Sequence, residues 1–243
     1  MRSMTTGIVV SVLWLNATPG LGQEGEPSAA QREHEEQIPP QDRDDLREAR
    51  DDVRTAAGIV KQLLRESEML QLMGRSKGIF VIPDYATAAL IAGAAGGKGV
   101  LLSRQGRVWS GPAFYDVGGL SVGAQAGVAA GSIAMLLLSQ DAVDRFKEKA
   151  SFSLTAEDGL TLVDWALWAQ GETRRGGDIV VWADMKGLVG EAALGLSGVS
   201  WDEEENRAYY GQTVTAGAIM GGRFEDPYAS ELKQLLDRAA PGD

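Results

Sequence analysis

The chain has 243 residues, 44% of them hydrophobic, enough for one domain with a real core. Thirty-four acids against 23 bases give a formal charge of −11, a balance that keeps a chain soluble and disfavours nucleic acid as a partner. There is no cysteine and a single histidine, so disulfides, thiol catalysis, histidine triads and two-histidine zinc sites are excluded by count.

Residues 1–22 read as a secretory signal peptide. Arg2 gives a positive start, residues 7–15 form an apolar core too short to cross a bilayer, and Thr18-Pro19-Gly20-Leu21-Gly22 breaks it with small residues. The chain is therefore expected to be exported, to a periplasm or beyond, possessing a mature charge of −12 after loss of Arg2. Residues 23–41 are rich in Glu, Gln and Pro and read as a disordered linker, with His34 solvated inside it.

Residues 42–73 have Leu46, Val53, Ala57, Val60 and Leu64 at helical spacing and read as one long amphipathic helix stopped at Gly74. Asp42, Asp44 and Asp45 suit its N-terminus. Residues 77–83 read as a strand stopped by Pro83, and 99–103 with 107–110 as a hairpin about Gln105-Gly106.

The most unusual stretch is 92–131, dense in glycine. A P-loop reading fails, because Ala92 stands where the first glycine belongs and Gly99 where the hydroxyl belongs. Residues 117–140 carry no charge and have Gly119, Gly123, Gly127 and Gly131 at every fourth position, the pattern of a membrane helix. The competing reading is buried strands, from the alternation Leu120, Val122, Ala124, Ala126 and the apolar run 133–138; it is preferred because so many glycines lower the hydropathy. Close packing is expected at Gly123, Gly127 and Gly187.

Residues 141–150 read as a short helix capped by Ser139 or Asp141, with Val143 and Phe146 inward. Residues 151–154, 161–168 and 178–183 read as extended, and 186–199 as a second glycine-rich strand region. Residues 202–206, Asp-Glu-Glu-Glu-Asn, read as a solvated hairpin turn between two strands. Residues 213–220 and 230–239 read as closing helices. The fold class is thus α+β: antiparallel glycine-rich β-sheets packed with a long N-terminal helix and short C-terminal helices.

An ordered series of short motifs resembles the SYLF domain family: Lys77-Gly78-Ile79-Phe80-Val81-Ile82-Pro83, Gly96-Gly97-Lys98-Gly99-Val100, Trp109-Ser110-Gly111-Pro112, Gly118-Gly119 with Gly123-Ala124-Gln125-Ala126-Gly127, Lys186-Gly187-Leu188-Val189-Gly190 and Tyr209-Tyr210-Gly211. The resemblance covers residues 42–240. It implies a soluble domain, and a non-enzymatic module without cofactor or metal that binds phospholipid head groups at a membrane surface, phosphoinositides in eukaryotic members. The alternative is a structural domain that binds an envelope protein.

Lys77, Lys98, Arg104, Arg107 and Lys186 are the candidate phosphate partners, with Trp109 and Trp182 at head-group level. Arg174-Arg175 forms a further basic loop. The arginines of the long helix are flanked by acids and rank below the glycine-adjacent lysines. Acid–base catalysis through Asp84, Asp116, Glu157, Asp158 or Asp184 is a remote third class.

Overall fold

The structure, a computed structural model, describes residues 28–88, 94–118, 120–121, 129–171, 177–186 and 195–239. Two helices open it, α1 (Ala29–Gln37) and α2 (Arg43–Leu63), followed by α3 (Ser67–Arg75). Ten strands follow in chain order: β1 (Gly78–Ala88), β2 (Ala94–Gln105), β3 (Val108–Trp109), β4 (Ala113–Val117), β5 (Leu120–Ser121), β6 (Ala129–Leu137), β7 (Ser151–Leu154), β8 (Leu162–Asp164), β9 (Ile179–Lys186) and β10 (Gly195–Trp201). Between and after them lie α4 (Gln140–Glu148), α5 (Trp165–Ala169), α6 (Glu203–Tyr210), α7 (Ala216–Met220) and α8 (Ser230–Arg238).

The main path of the sheet runs β5-β10-β4-β2-β1-β6-β9-β8, with β3 on β2 and β7 on β10. Among the described residues every pairing is antiparallel except β8 with β9. This is the expected α+β class. The apolar run 133–138 is central: β6 is paired on both sides, to β1 and to β9. The described residues of the uncharged stretch 117–140 lie at the end of β4, in β5 and β6 and at the start of α4, and no described helix is long and apolar enough to cross a membrane. Gly123, Gly127, Gly187 and the Arg174-Arg175 loop lie outside the described residues.

β1 does not stop at Pro83. It continues to Ala88 with one extra residue, and the pairing register shifts at the same place towards β2 and towards β6. Proline has no N–H to offer a ladder, so a bulge is where a paired strand can hold one. The Pro83 carbonyl accepts from the Ser132 hydroxyl at 2.7 Å.

The single N-terminal helix divides. α2 buries a stripe from Leu46 through Val53 and Val60 to Leu63, and α3 buries Met69, Leu72 and Met73. A straight helix continued from Leu63 would turn Ser67 inward. Glu66, with φ −92° and ψ 117°, is extended and resets the phase so that the methionines face the core. The stretch expected as a linker also holds structure. α1 starts at Ser28, whose hydroxyl accepts from the Gln31 N–H while the Gln31 side chain accepts from the Ser28 N–H, a capping box.

The core behind β1 and β4 is aromatic. Phe80, Tyr115, Phe146 and Phe152 stack at 4.8–6.3 Å between ring centroids, and the Tyr115 hydroxyl donates to the Phe146 carbonyl at 2.8 Å. Gly99 makes this possible: a Cβ there would sit 2.2 Å from Phe80 Cζ. α4 caps on Ser139 and turns Val143 and Phe146 inward, as expected. In the segment expected to be extended, 161–168, only β8 is strand. Asp164 then accepts from the Ala166 N–H and starts α5.

Candidate functional site

The acidic stretch 202–206 is not a turn. Asp202 caps α6, accepting from the Glu205 N–H at 2.9 Å, and the helix turns Glu205 and Asn206 into the protein, each 1% exposed. Asn206 completes the backbone of β4 where its neighbour β10 has ended. Its amide donates to the Phe114 carbonyl at 2.7 Å and its side-chain oxygen accepts from the Phe114 N–H at 3.1 Å. The pattern Asp-x-x-Glu before an inward-facing run is the sequence signal for this start.

Against α6 stands Lys98, on β2 opposite Asp116 of β4. Its Nζ lies 2.5 Å from Asp202 Oδ2, 3.1 Å from Glu205 Oε2 and 4.0 Å from Asp116 Oδ1. Burial works against the ammonium, but the hydrogen bonds to Asp202 and Glu205 outweigh it and hold Lys98 above the ordinary lysine range. Burial also works against Asp202, where Lys98 and the Glu205 N–H win and keep the carboxyl low. Glu205 is the member that yields: burial pushes it up to about 9, with Lys98 offsetting only part. At neutral pH the ion pair is therefore Lys98–Asp202, with Glu205 protonated beside it. On α2, burial and then Glu48 push Asp52 up to about 7.

A second charged region lies where α1 crosses α2. A cavity of about 450 Å³ is lined by Arg32, Arg43, Arg47 and Arg50, with Glu35, Glu36 and Leu46. α1 is held there by polar contacts. His34, expected to be solvated, donates Nε2–H to the Tyr209 carbonyl at 2.8 Å, and Gln31 donates to the Pro227 carbonyl at 3.3 Å. Arg50 pairs with Glu35 and lies 4.8 Å over the Tyr228 ring. Arg47 pairs with Asp44 at 2.9 Å, both side chains mostly in water.

The expected lipid-binding residues are not brought together. Lys77 just before β1, Arg104 near the end of β2, Arg107 in the turn that follows and Trp109 on β3 share one end of the sheet, with Lys77 and Arg104 joined through their main chains at 2.7 Å. Lys98 is six residues back along β2, about 20 Å away. Lys186 ends β9 opposite Ala130, at the far end of β6 from the Lys77 contact.

Several are also engaged elsewhere. Lys98 is held by carboxylates, and Arg104 donates to the Gly74 carbonyl at 2.7 Å and lies over Trp109. Trp109 is 3% exposed, which removes it from any head-group level. Trp182 is half-buried against the core. Lys77 and Arg107 are exposed. Of the carboxylates weighed for catalysis, Asp116 joins the Lys98 cluster, while Asp184 pairs across the sheet with Ser132 and Asp158 accepts from Thr155. Sequence reading missed Arg32 and Arg50 in the groove, although the Ser28–Gln31 capping box marks the helix that brings Arg32 there.

A family model described as Ysc84, Las17-binding protein actin regulator, matches residues 118–239. The chain belongs to the Ysc84 family. This bears out the SYLF resemblance, and the match includes the glycine motifs at 118–127 and 186–190 and Tyr209-Tyr210-Gly211. Among curated members, LAS seventeen-binding protein 3 of Saccharomyces cerevisiae is 26% identical over 208 residues, 80% of this chain and 45% of that protein. SH3 domain-containing YSC84-like protein 1 of Xenopus laevis is 26% identical over 171 residues, 68% of this chain and 51% of its own. The chain thus spans about half the length of the Ysc84 relatives it matches. No solved structure matches it. The Ysc84 model is described as that of a regulator, and the names of these relatives describe protein binding and domain content.

Proposed function

We propose that this Ysc84-family domain is a non-enzymatic module that binds anionic phospholipid head groups in the groove between α1 and α2. The observation that carries the reading is the convergence of four guanidinium groups from two helices on one open cavity. Guanidinium is a planar fork of donors suited to phosphate oxygens, and it stays charged at any working pH. This moves the site away from Lys98 and Lys186, where the sequence put it: Lys98 is already neutralised. The buried carboxyls that could do acid–base work are closed from solvent and held by Lys98, which fits a binding module without catalysis. In this reading the protein acts outside the cytoplasm after loss of residues 1–22, on the membrane surface of the envelope. A second reading, a protein-interaction domain, is favoured by the names of the relatives.

Co-sedimentation with vesicles tests the proposal. Wild type is expected to bind phosphatidylglycerol or phosphoinositide vesicles and not pure phosphatidylcholine, with binding weakened by salt. A basic side chain near an anionic surface contributes about 1 kcal/mol, so Arg43→Glu with Arg47→Glu should weaken binding at least about tenfold. Lys77→Glu, exposed and remote, should leave it unchanged. Absence of binding at low salt, or loss in the Lys77 variant alone, overturns the proposal.

A further inference from the structure

α1 differs from the helices of its own length. α3, α4 and α8, also of nine residues, each bury apolar side chains, whereas no residue of α1 is buried. Its only apolar side chains are two alanines, so an apolar face cannot hold it. Polar contacts dock it instead. Gln31 donates to the Pro227 carbonyl at 3.3 Å, His34 to the Tyr209 carbonyl at 2.8 Å, and Glu35 pairs with Arg50 of α2. Open space lies on both sides of it. The arginine cavity is on one side. On the other a cavity of about 790 Å³ is lined by Ala30, Glu33, His34 and Gln37, with Phe224 and Lys233 opposite.

The helix is anchored at its end. Ile38, 2% exposed, follows it, and Pro39 and Pro40 fix the backbone beyond, so α1 can move as a unit about that anchor. Gly211, with φ +65°, makes room for the approach: a Cβ there would lie 3.3 Å from His34 Cε1 and from Ile38 Cδ1. Arg32 stands in α1 between Gln31 and the His34-Glu35 pair, and it lines the arginine cavity with Arg43, Arg47 and Arg50 of α2. A phosphate among them can accept from guanidinium groups of both helices, and so bridge one to the other.

We infer that α1 is a clamp: a phosphate-bearing ligand in the groove draws it onto α2, and Gln31, His34 and Glu35 are positioning residues that hold Arg32 where it reaches the ligand. The clamp rests on the groove being an anion site. Linkage is reciprocal, so the ligand tightens α1, and whatever loosens α1 weakens the ligand. His34 does not line the groove and acts only through the Tyr209 carbonyl. Glu35 separates the clamp from simple charge. Removing an acid from a cavity of arginines strengthens anion binding by charge alone, whereas removing a strut of the clamp weakens it.

Hydrogen exchange of the α1 amides in the full chain tests this with two saturating probes, inositol hexakisphosphate in solution and phosphatidylglycerol vesicles. Each is expected to slow exchange in α1 at least about fivefold and to leave α8 unchanged. Without a probe, His34→Ala should speed exchange in α1 and not in α8, which shows that the fold is kept. It should weaken inositol hexakisphosphate binding about fivefold. His34→Gln, whose amide can donate to the same carbonyl, should restore most of that loss. Glu35→Ala should bind the probe more weakly than Glu36→Ala, although each removes one acid from the same cavity. Alanine is the better helix former, so neither change weakens the helix itself. A probe that binds and leaves α1 exchange unchanged overturns the clamp and leaves the anion site standing. So does equal affinity of His34→Ala and wild type. Protection by inositol hexakisphosphate without vesicle binding keeps the clamp and overturns the lipid reading. Binding of neither probe overturns both.

Discussion

α2 carries charge into two regions that behave in opposite ways. Towards α6 its acids approach Lys98, Asp202 and Glu205, which are packed, hydrogen-bonded and partly neutralised by proton uptake. Towards α1 its arginines line an open cavity, and the pairs Arg47–Asp44 and Arg50–Glu35 keep a third or more of each side chain in water. Similar numbers of charges thus do different jobs. In the first region the surroundings are committed to holding each charge in place; in the second, water holds it and a ligand can replace the water. The contrast is between a lysine of the glycine-rich stretch that carboxylates already engage and arginines whose pairs stay in contact with water.

The sharpest way to break this contrast is Lys98→Met. It strands Asp202 beside a buried helix start, and removing one partner of a buried pair costs about 3–5 kcal/mol. Lys98 keeps 31% of its side chain exposed, so the expected loss is at the lower end, about 3 kcal/mol, read by urea denaturation. A loss below about 1 kcal/mol would mean the cluster is solvated like the groove.

Next in size is the difference between its two acids. Asp202→Asn removes the true ionic partner and should cost about 2 kcal/mol, while Glu205→Gln replaces a carboxyl already protonated and should cost under about 1 kcal/mol. The reverse order would put the charge on Glu205.

A pH series sharpens the same point. Glu205 and Asp52 have folded values raised to about 9 and about 7, so the folded protein holds protons that the unfolded chain has released. Their contribution is full below the ordinary carboxylate range and is lost as pH rises through 7 and then 9. Asp202, held low, contributes with the opposite sign and only in acid. The urea midpoint should therefore fall between about pH 6 and pH 9, and Glu205→Gln should flatten the upper part of that fall. The smallest effect belongs to the groove: Arg47→Ala should change stability by no more than about 0.5 kcal/mol, because its pair with Asp44 is exposed.

Periodicity made the frame legible. The stripe of α2, the central strand after Gly131 and the inward Val143 and Phe146 of α4 all follow from spacing alone. What was not legible were places where a local event changes phase or partner. Glu66 resets a helix, and Asp202 starts one where five polar residues suggest a loop. The engagement of Lys98 was hidden for a related reason. A lysine beside glycines looks available in one dimension, and its partners at 202 and 205 lie more than a hundred residues on. Arg32 and Arg50 could be joined only by knowing that α1 folds back across α2.

Pro83 has a consequence for how the chain finds its alignment. It sits in a strand flanked on both sides, and the extra residue beside it displaces both neighbours at one point. Sliding β1 by a residue against either partner would bring a nitrogen with no hydrogen opposite a carbonyl that needs one. The glycine- and alanine-rich ends of β2 and β6 offer few side chains to resist such sliding. A ring closed on its own nitrogen does it for them, so the pairing of three strands is fixed by the covalent structure of a single residue.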